Sequence, residues 1–314
     1  MKPFLLLALF AFPLFANAPS LHAENDRTYD GTITVGDLER TYLVHVPASY
    51  SEQKPAALIF VFHGGGGEAK TSGKFTGFSE LSDKEGFIVV YPQGVDKSWN
   101  DGRNSTKITA QREHVDDIGF VTALLDHLEH QYSIDPKRIY ATGPSNGGFF
   151  SNRVGAELSD RFAAIAPVIG LMACPVAENF KPRQPVSVLA INGTEDPLVP
   201  YNGGDVKLMG MGGRGSGISA LDTVKKWADH DGCKKDPVNT ELPDTDPNDG
   251  TRVKISTWSG GKDNTEVVFY TIEGGGHTWP GGTQYLPQRV IGKVCRDFNA
   301  TQVIWKFFVE HPKS

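Results

Sequence analysis

Short, almost purely apolar runs recur along the chain and predict strands that are buried on both faces. The runs cover residues 57–62, 87–91, 138–142, 186–191 and 266–272. Upstream of them, two β-forming stretches flank Gly36-Asp37, a turn pair typical of a β-hairpin. The pattern therefore predicts a hairpin followed by a mainly parallel sheet.

Helical periodicity fills the gaps between these runs. Apolar residues between 118 and 128 recur at helical spacing after Asp116 and Asp117, either of which would cap the helix. Further helices are predicted over residues 146–158, 220–230 and 300–310. Alternating strands and helices predict an α/β fold, with right-handed crossovers and helices on both faces of the sheet.

Length and charge limit the classes of protein to which this chain can belong. The chain has 314 residues and a net charge of -6, and its basic residues are scattered. A nucleic-acid interface would need a basic stripe, so no nucleic-acid partner is expected. Length fits one large α/β domain over residues 24–314, although two small domains would also fit.

The first 23 residues predict a secretory signal peptide. Lys2 precedes an apolar run over residues 4–15, which is too short for a comfortable membrane span. Cleavage after Ala23 is favoured over the earlier Ala-Asn-Ala site because Pro19 would follow that cut. An uncleaved membrane anchor is the alternative. We therefore expect an extracellular or periplasmic protein without stable membrane association.

Three cysteines, Cys174, Cys233 and Cys295, allow one disulfide and one spare thiol in an exported chain, with three possible pairings. Their spacing does not match a zinc site. No metal is expected, and the oligomeric state is left open.

A serine lies between a predicted strand and a predicted helix, in the sequence Gly143-Pro144-Ser145-Asn146-Gly147. A sharp turn in this position exposes the hydroxyl of a nucleophile, and flanking glycines avoid collisions with neighbouring backbone. Ser145 is therefore the predicted nucleophile, and the Asn146 N–H is the predicted first donor to an oxyanion. The alternative is an ordinary glycine-rich turn.

Four glycines follow His63, directly after the first buried strand. Acyl transfer needs a second oxyanion donor from such a loop. Gly65 is the predicted donor, with Gly64 and Gly66 as alternatives, and His63 is expected to hold the loop in shape. A phosphate loop would need the Gly-Lys-Ser/Thr ending that is missing here.

Two further strand ends carry an acid and a base. Asp196 follows the strand over 186–191, with Glu195 as its rival, and His277 lies in a glycine-rich loop after the strand over 266–272. The chain order Ser145, Asp196, His277 is that of α/β-hydrolases and differs from the other triad folds.

Three sequences then resemble the polyhydroxybutyrate depolymerase-like esterases, which are related to the feruloyl and acetyl-xylan esterases of carbohydrate esterase family one. The sequences span residues 140–148, 161–167 and 276–282. The resemblance implies an α/β-hydrolase fold, the triad Ser145, Asp196 and His277, and no metal or organic cofactor. Trp279, beside the histidine, is assigned to substrate binding.

The chain departs from this family at three positions. Pro144 replaces the usual methionine, Gly155 stands where a cysteine is common, and Cys233 has no cysteine partner before the last strand. The family's disulfide pattern is therefore not carried over.

The expected reaction is ester hydrolysis through an acyl-enzyme. Hydroxyalkanoate oligomers or polyester-type substrates are the first expectation, and plant cell-wall esters are the alternative. A peptidase on the same fold would be expected to carry a gating domain for which this length leaves no room. A binding protein on an inactive scaffold would not need all three triad residues.

Two polar stretches, 202–217 and 236–250, predict surface loops because they are rich in glycine and proline. The first follows Asp196 closely, so it either borders the active site or is a plain surface excursion.

Overall fold

A computed structural model describes residues 27–208 and 210–314. The predicted signal peptide over residues 1–23 lies outside these described residues. The strands are β1 (Thr28–Val35), β2 (Leu38–His45), β3 (Ala56–Val61), β4 (Ile88–Pro92), β5 (Ile134–Pro144), β6 (Ala164–Val168), β7 (Ser187–Gly193), β8 (Gly204–Asp205), β9 (Ser216–Gly217), β10 (Val238–Glu241), β11 (Arg252–Trp258) and β12 (Val267–Glu273).

The helices are α1 (Ala69–Thr76), α2 (Phe78–Glu85), α3 (Thr109–Arg112), α4 (Asp117–Gln131), α5 (Asn146–Glu157), α6 (Cys174–Glu178), α7 (Ala220–Asp231), α8 (Gln288–Ile291) and α9 (Ala300–Glu310). Single 3₁₀ turns lie at Val95–Lys97 and Lys262–Asn264. Within the described residues, none of the helices is long and apolar enough to cross a membrane.

Ten strands form one sheet in the order β1-β2-β4-β3-β5-β6-β7-β12-β11-β10. The six central strands, from β4 to β12 in this order, pair in parallel. The two strands at each edge pair antiparallel. Strand β8 pairs only with β9 in a separate two-stranded ladder.

Side chains on β3 show how both faces of the sheet are covered. Leu58 and Phe60 pack into one apolar cluster, while Ile59 and Val61 pack into the other. Helices α4, α5 and α7 contribute to the first cluster, and α2 and α9 contribute to the second. A strand with two buried faces must be apolar throughout, which explains the uninterrupted runs in the sequence.

The predicted α/β architecture is confirmed, and most predicted bounds agree within one or two residues. The hairpin turn forms at Gly36-Asp37, with Val35 paired to Leu38. Helix α9 begins and ends where predicted, and Asp116 caps α4 by accepting a hydrogen bond of 2.8 Å from the Gly119 N–H.

Four strand assignments in the main sheet need correction. Strand β5 begins at Ile134, four residues before the predicted start. The strands β6 and β11 were not predicted: β6 is rich in alanine and includes Pro167, and β11 alternates polar and apolar residues near the sheet edge. Residues 236–250 are not wholly a loop, because β10 adds an exposed edge strand there.

The one disulfide that the sequence allows does not form: Cys174, Cys233 and Cys295 are all free thiols. Cys174 begins α6, Cys233 follows α7, and Cys295 lies in the segment before α9. Burial, with smaller effects from Asp231 and Glu266, raises the pKa of Cys233 to about 11. A thiol held in its protonated form is a poor nucleophile and a poor metal ligand.

Candidate active site

Four loops meet at one edge of the sheet because they follow parallel strands. The His63 loop leaves β3, Ser145 ends the turn after β5, Asp196 follows β7 and His277 follows β12. Carboxyl ends of parallel strands share one edge, and ligands bind there in open α/β sheets. β7 and β12 are direct neighbours, and the Glu195 N–H donates to the Gly275 carbonyl at 2.9 Å.

The turn at Ser145 is strained in the way that a nucleophile elbow requires. Ser145 has φ 56° and ψ -120°, a left-handed region that disfavours a residue with a side chain. A Cβ on Gly143 or Gly147 would lie 2.2 or 2.1 Å from the Phe62 carbonyl oxygen. The two glycines therefore permit the close approach of β3 that the sharp turn needs.

The acid and the base form a buried pair. His277 Nδ1 donates to Asp196 Oδ2 at 2.7 Å, and the two side chains are 4% and 2% exposed. The other carboxylate oxygen, Asp196 Oδ1, accepts 2.8 Å hydrogen bonds from the Leu198 and Val199 N–H groups. Glu195 is exposed to solvent, so the structure brings Asp196, and not its neighbour, to the histidine.

Ser145 and His277 line the same cavity of about 620 Å³. The Ser145 hydroxyl has no hydrogen-bond partner among the described residues, so its relation to the His277–Asp196 pair is that Ser145 and His277 line one cavity. Hydrogen bonds between a catalytic serine and its base are often long before substrate binds. Gly64, Gly65 and Asn146 line the cavity as well.

Backbone hydrogen bonds narrow the choice of oxyanion donors. The Gly66 N–H donates to the Lys97 carbonyl at 2.8 Å, and the Gly67 N–H donates to the Gly64 carbonyl at 2.9 Å. Within residues 27–208 and 210–314, the Gly64 and Gly65 amides have no such partner. Asn146 is the first residue of α5, so its N–H has no partner inside the helix. Gly65 remains the predicted second donor, with Gly64 as the alternative.

His63 holds the glycine loop in place, as expected from the sequence. Its Nδ1 donates to the Gly64 carbonyl at 2.8 Å, and its Nε2 accepts from the Gly94 N–H at 3.0 Å. The His63 carbonyl accepts from the Trp99 indole at 2.9 Å. Burial lowers the pKa of His63 to about 4, so the imidazole is neutral and stays in this tautomer at neutral pH.

The low pKa of His63 predicts a loss of stability in acid. In the unfolded chain the His63 imidazole takes up a proton near pH 6.5, whereas in the folded chain it stays neutral until about pH 4. The contribution of His63 to the free energy of unfolding is fully present above pH 6.5. It falls by about 3 kcal/mol in total as the pH drops towards 4. Urea unfolding of wild type and His63→Gln from pH 7.5 to 4.5 measures it. We expect a shallower pH dependence in the variant, and parallel profiles would contradict the assignment.

A buried network holds the side chain of Asn146. Its Oδ1 accepts from the Trp99 N–H at 2.8 Å, and its Nδ2 donates to Asp101 Oδ2 at 2.6 Å. Asp101 is fully buried and also pairs with Arg103 at 2.7 Å and with Gln111 at 2.8 Å. Because Trp99 also binds the His63 carbonyl, this network connects the two loops that carry the predicted oxyanion donors.

Removing the charge of Asp101 should reduce turnover more than substrate affinity. In Asp101→Asn, Arg103 loses its buried partner, which costs several kcal/mol of stability and loosens the support of Asn146. We expect kcat to fall by about tenfold or more, with a smaller change in KM, because an oxyanion donor acts in the transition state.

Asp126→Asn is the matched control for Asp101→Asn, since Asp126 pairs with Arg161 on the surface. Steady-state kinetics and thermal melting of both variants make the comparison. An unchanged kcat in folded Asp101→Asn would show that this network does not position the donors.

The assignment of Trp279 to substrate binding needs correction. The indole is 2% exposed, packs against Phe75 and Phe78, and donates to Thr301 Oγ1 at 3.1 Å. It is not among the residues that line the cavity. The loop after His277 turns this ring into the core, where it anchors α9 against the active-site loop.

Sequence reasoning missed Asp101 and Tyr285. Tyr285 lines the cavity and donates from its hydroxyl to the His277 carbonyl at 3.0 Å. Burial, and secondarily the charge of Asp196, raises the pKa of Tyr285 to about 12, so it remains a donor at neutral pH. Asp101 lies in a short polar segment that follows Trp99-Asn100, and its sequence does not mark it as part of the site.

The segment over residues 202–217 borders the cavity and is not a plain surface excursion. Val206, Lys207, Leu208 and Arg214 line the cavity.

A group of possible metal ligands lies elsewhere among the described residues. Side chains of Asp249, Cys295 and Asp297 approach within 4.8 Å of one another. Their carboxylates already accept backbone hydrogen bonds, from Thr251 and Arg296 to Asp249 and from Thr245 and Asp246 to Asp297. These contacts fasten two surface segments together, and none of the three residues lines the cavity.

Comparison with known proteins matches this chain to a peptidase family and to esterases. Residues 79–175, which include Ser145, match the Prolyl oligopeptidase family. A relative named "Putative esterase NocK", from Nocardia uniformis subsp. tsuyamanensis, is 30% identical over 283 residues, which are 88% of this chain and 81% of that protein.

Two further matches are weaker, one in the share of the relative that is covered and the other in sequence identity. Feruloyl esterase B of Piromyces equi is 30% identical over 246 residues, 76% of this chain and 42% of that protein, so this chain spans less than half of that relative. The solved structure of an acetyl xylan esterase from Aspergillus awamori superposes with a TM-score of 0.54 at 16% identity, covering 79% of this chain and 94% of that one. At that identity the superposition shows a shared fold.

Proposed function

Because the chain belongs to the esterases of the α/β-hydrolase fold, we propose that it hydrolyses carboxylic esters through an acyl-enzyme on Ser145. The observation that carries this proposal is the strained turn of Ser145, which opens into the same cavity as a histidine held by a buried carboxylate.

The proposed cycle follows from the hydrogen bonds of His277. Asp196 accepts a hydrogen bond from the Nδ1–H of His277, which leaves Nε2 free to take the proton from Ser145 as the serine oxygen attacks the ester carbonyl. The resulting oxyanion is stabilised by the Asn146 N–H and by the Gly65 N–H, or that of Gly64. His277 then protonates the leaving alcohol, and a water molecule repeats the sequence to release the acid and restore Ser145.

Two substrate classes are candidates for the cavity. Hydroxyalkanoate oligomers or polyester-type substrates follow from the resemblance in the sequence, and aromatic or acetyl esters of plant cell walls follow from the names of the relatives. A cavity of about 620 Å³ is large enough for a small ester or a short oligomer. Phe75, Tyr285 and Leu286 give it an apolar lining that either class could use.

We also propose that the protein is exported and acts as one catalytic domain over residues 24–314. The basic residue, apolar run and small residues at the start of the sequence support export. Intact-mass measurement of the exported protein tests the cleavage site. We expect a mature chain that starts at Glu24, and a mass that retains residues 1–15 would contradict the signal peptide.

A panel of esters tests the proposed function. It comprises 4-nitrophenyl esters of graded acyl length, methyl ferulate, acetylated xylan fragments and hydroxybutyrate oligomers, assayed with wild type and Ser145→Ala side by side. We expect hydrolysis that depends on Ser145, and the highest kcat/KM identifies the substrate class. Failure of the folded protein to hydrolyse every member would contradict the proposal.

A further inference from the structure

The cavity beside Ser145 carries more positive than negative side chains, although the chain as a whole has a net charge of -6. The lining cations are Lys97, Arg103, Lys107, Lys207 and Arg214, and the lining anions are Glu68 and Asp96. The local excess of positive charge is therefore opposite in sign to the net charge of the molecule.

Three of these cations already have partners in the protein, and for two of them the partner is a carboxylate. Lys97 forms a 2.5 Å ion pair with Glu68, and Arg103 forms a buried 2.7 Å ion pair with Asp101. Lys107 donates to the Gly212 carbonyl at 2.6 Å, a contact that fastens the glycine-rich segment to the cavity wall.

Lys207 and Arg214 differ from the other cations of the cavity. Within the part of the chain that the structure describes, neither side chain forms an ion pair or a hydrogen bond. The nearby Asp205 carboxylate accepts a 2.5 Å hydrogen bond from the Gly213 N–H and pairs with neither cation. Two unpaired cations in a cavity that is otherwise partly apolar can bind an anionic group of a ligand.

Backbone hydrogen bonds connect the segments that carry these two cations to the segment that carries Asp196. The Lys207 N–H donates to the Leu198 carbonyl at 2.9 Å, and Leu198 in turn donates its N–H to Asp196. The Val206 N–H donates to the Gly215 carbonyl at 2.9 Å, which ties the residues beside Lys207 to those beside Arg214. The backbone that carries both cations is therefore attached to the backbone that carries Asp196.

We propose that the cavity selects esters that carry a free carboxylate, and that Lys207 and Arg214 bind this carboxylate while the ester lies at Ser145. This inference rests on the proposed ester hydrolysis and names its substrate class. An ester of a hydroxy acid with a free carboxyl end fits the description, because it has an apolar body and one negative charge. Arginine can bind a carboxylate through two parallel hydrogen bonds, and lysine adds a point charge.

Matched pairs of esters test the proposal on each side of the scissile bond. The first pair is 3-acetoxybutanoate and its methyl ester, followed by acetate release. The second pair is monomethyl and dimethyl glutarate, followed by methanol release. In at least one pair we expect kcat/KM to be about tenfold higher for the anionic member. The preference should fall as salt rises from about 0.01 to 0.5 M, because salt screens exposed charges.

The double variant Lys207→Gln, Arg214→Gln should bring the ratio of the two kcat/KM values close to one. A ratio measured on one preparation does not depend on the fraction of folded protein. Lys225→Gln is the matched control, since Lys225 is exposed on α7 and does not line the cavity; its ratio should equal that of wild type.

The outcomes separate this inference from the proposed function. Equal kcat/KM for both members of both pairs in wild type, or a preference that survives in the double variant, would overturn the carboxylate site and leave ester hydrolysis standing. Absence of hydrolysis of every ester by folded wild type would overturn both.

Discussion

Ser145→Ala should lower kcat by at least about a thousandfold while the protein remains folded. The hydroxyl is the only group in the strained turn that can attack a carbonyl carbon, and the side chain makes no hydrogen bond to a described residue that its removal would break. Alanine retains the Cβ that already occupies this turn, so the backbone strain is unchanged. Initial rates on the best ester of the panel, with enzyme concentration raised for the variant, measure the effect.

Ser256→Ala is the matched control for Ser145→Ala. Ser256 lies on β11 and bonds to Asn239 at the sheet edge, and it does not line the cavity. Its kcat should equal that of wild type, and the melting temperatures of both variants report on folding. A turnover close to normal in Ser145→Ala would remove this serine from the mechanism.

Asp196→Asn should be impaired by up to about ten-thousandfold in kcat. The structure gives the reason atom by atom. Oδ1 accepts two backbone N–H groups, so the amide oxygen of asparagine would take this place and its NH₂ would face His277 Nδ1. An NH₂ group can only donate, which forces the proton of the imidazole onto Nε2. His277 would then present a donor where Ser145 needs an acceptor.

Glu195→Gln provides the matched control, because it makes the same chemical change at the next residue. Glu195 is exposed, and we expect its variant to have nearly normal kcat. Both variants are assayed from pH 6 to 9 beside wild type. The reverse pattern would move the role of the acid to Glu195, and full activity in both would place the acid on another strand end.

The fold was predictable where local sequence determines it. Apolar runs such as residues 57–62 predicted buried strands because both faces of β3 are covered. The Ala-rich strand β6 and the edge strand β10 were missed, since their pairing depends on neighbouring strands more than on their own composition.

Within the site, the predicted residues were those that lie at strand ends in glycine-rich loops. Asp196 and His277 are paired as predicted, and their proximity follows from the adjacency of β7 and β12. The assignment of Trp279 to substrate binding was wrong because the local sequence of a loop does not determine whether a side chain points into the cavity or into the core. The network of Asp101 could not be predicted because its contact with Asn146 joins residues that are far apart in the chain.

A fluorophosphonate probe tests whether Ser145 is the residue that becomes covalently acylated. The probe reacts with a serine that a neighbouring base activates, and its phosphonyl group mimics the oxyanion of acyl transfer. Wild type, Ser145→Ala and Asp196→Asn are incubated with the probe, and intact mass and peptide mapping locate the adduct. We expect one adduct per chain on Ser145 in wild type, none in Ser145→Ala and slow labelling in Asp196→Asn. An unlabelled folded wild type, or an adduct on any other residue, would contradict it.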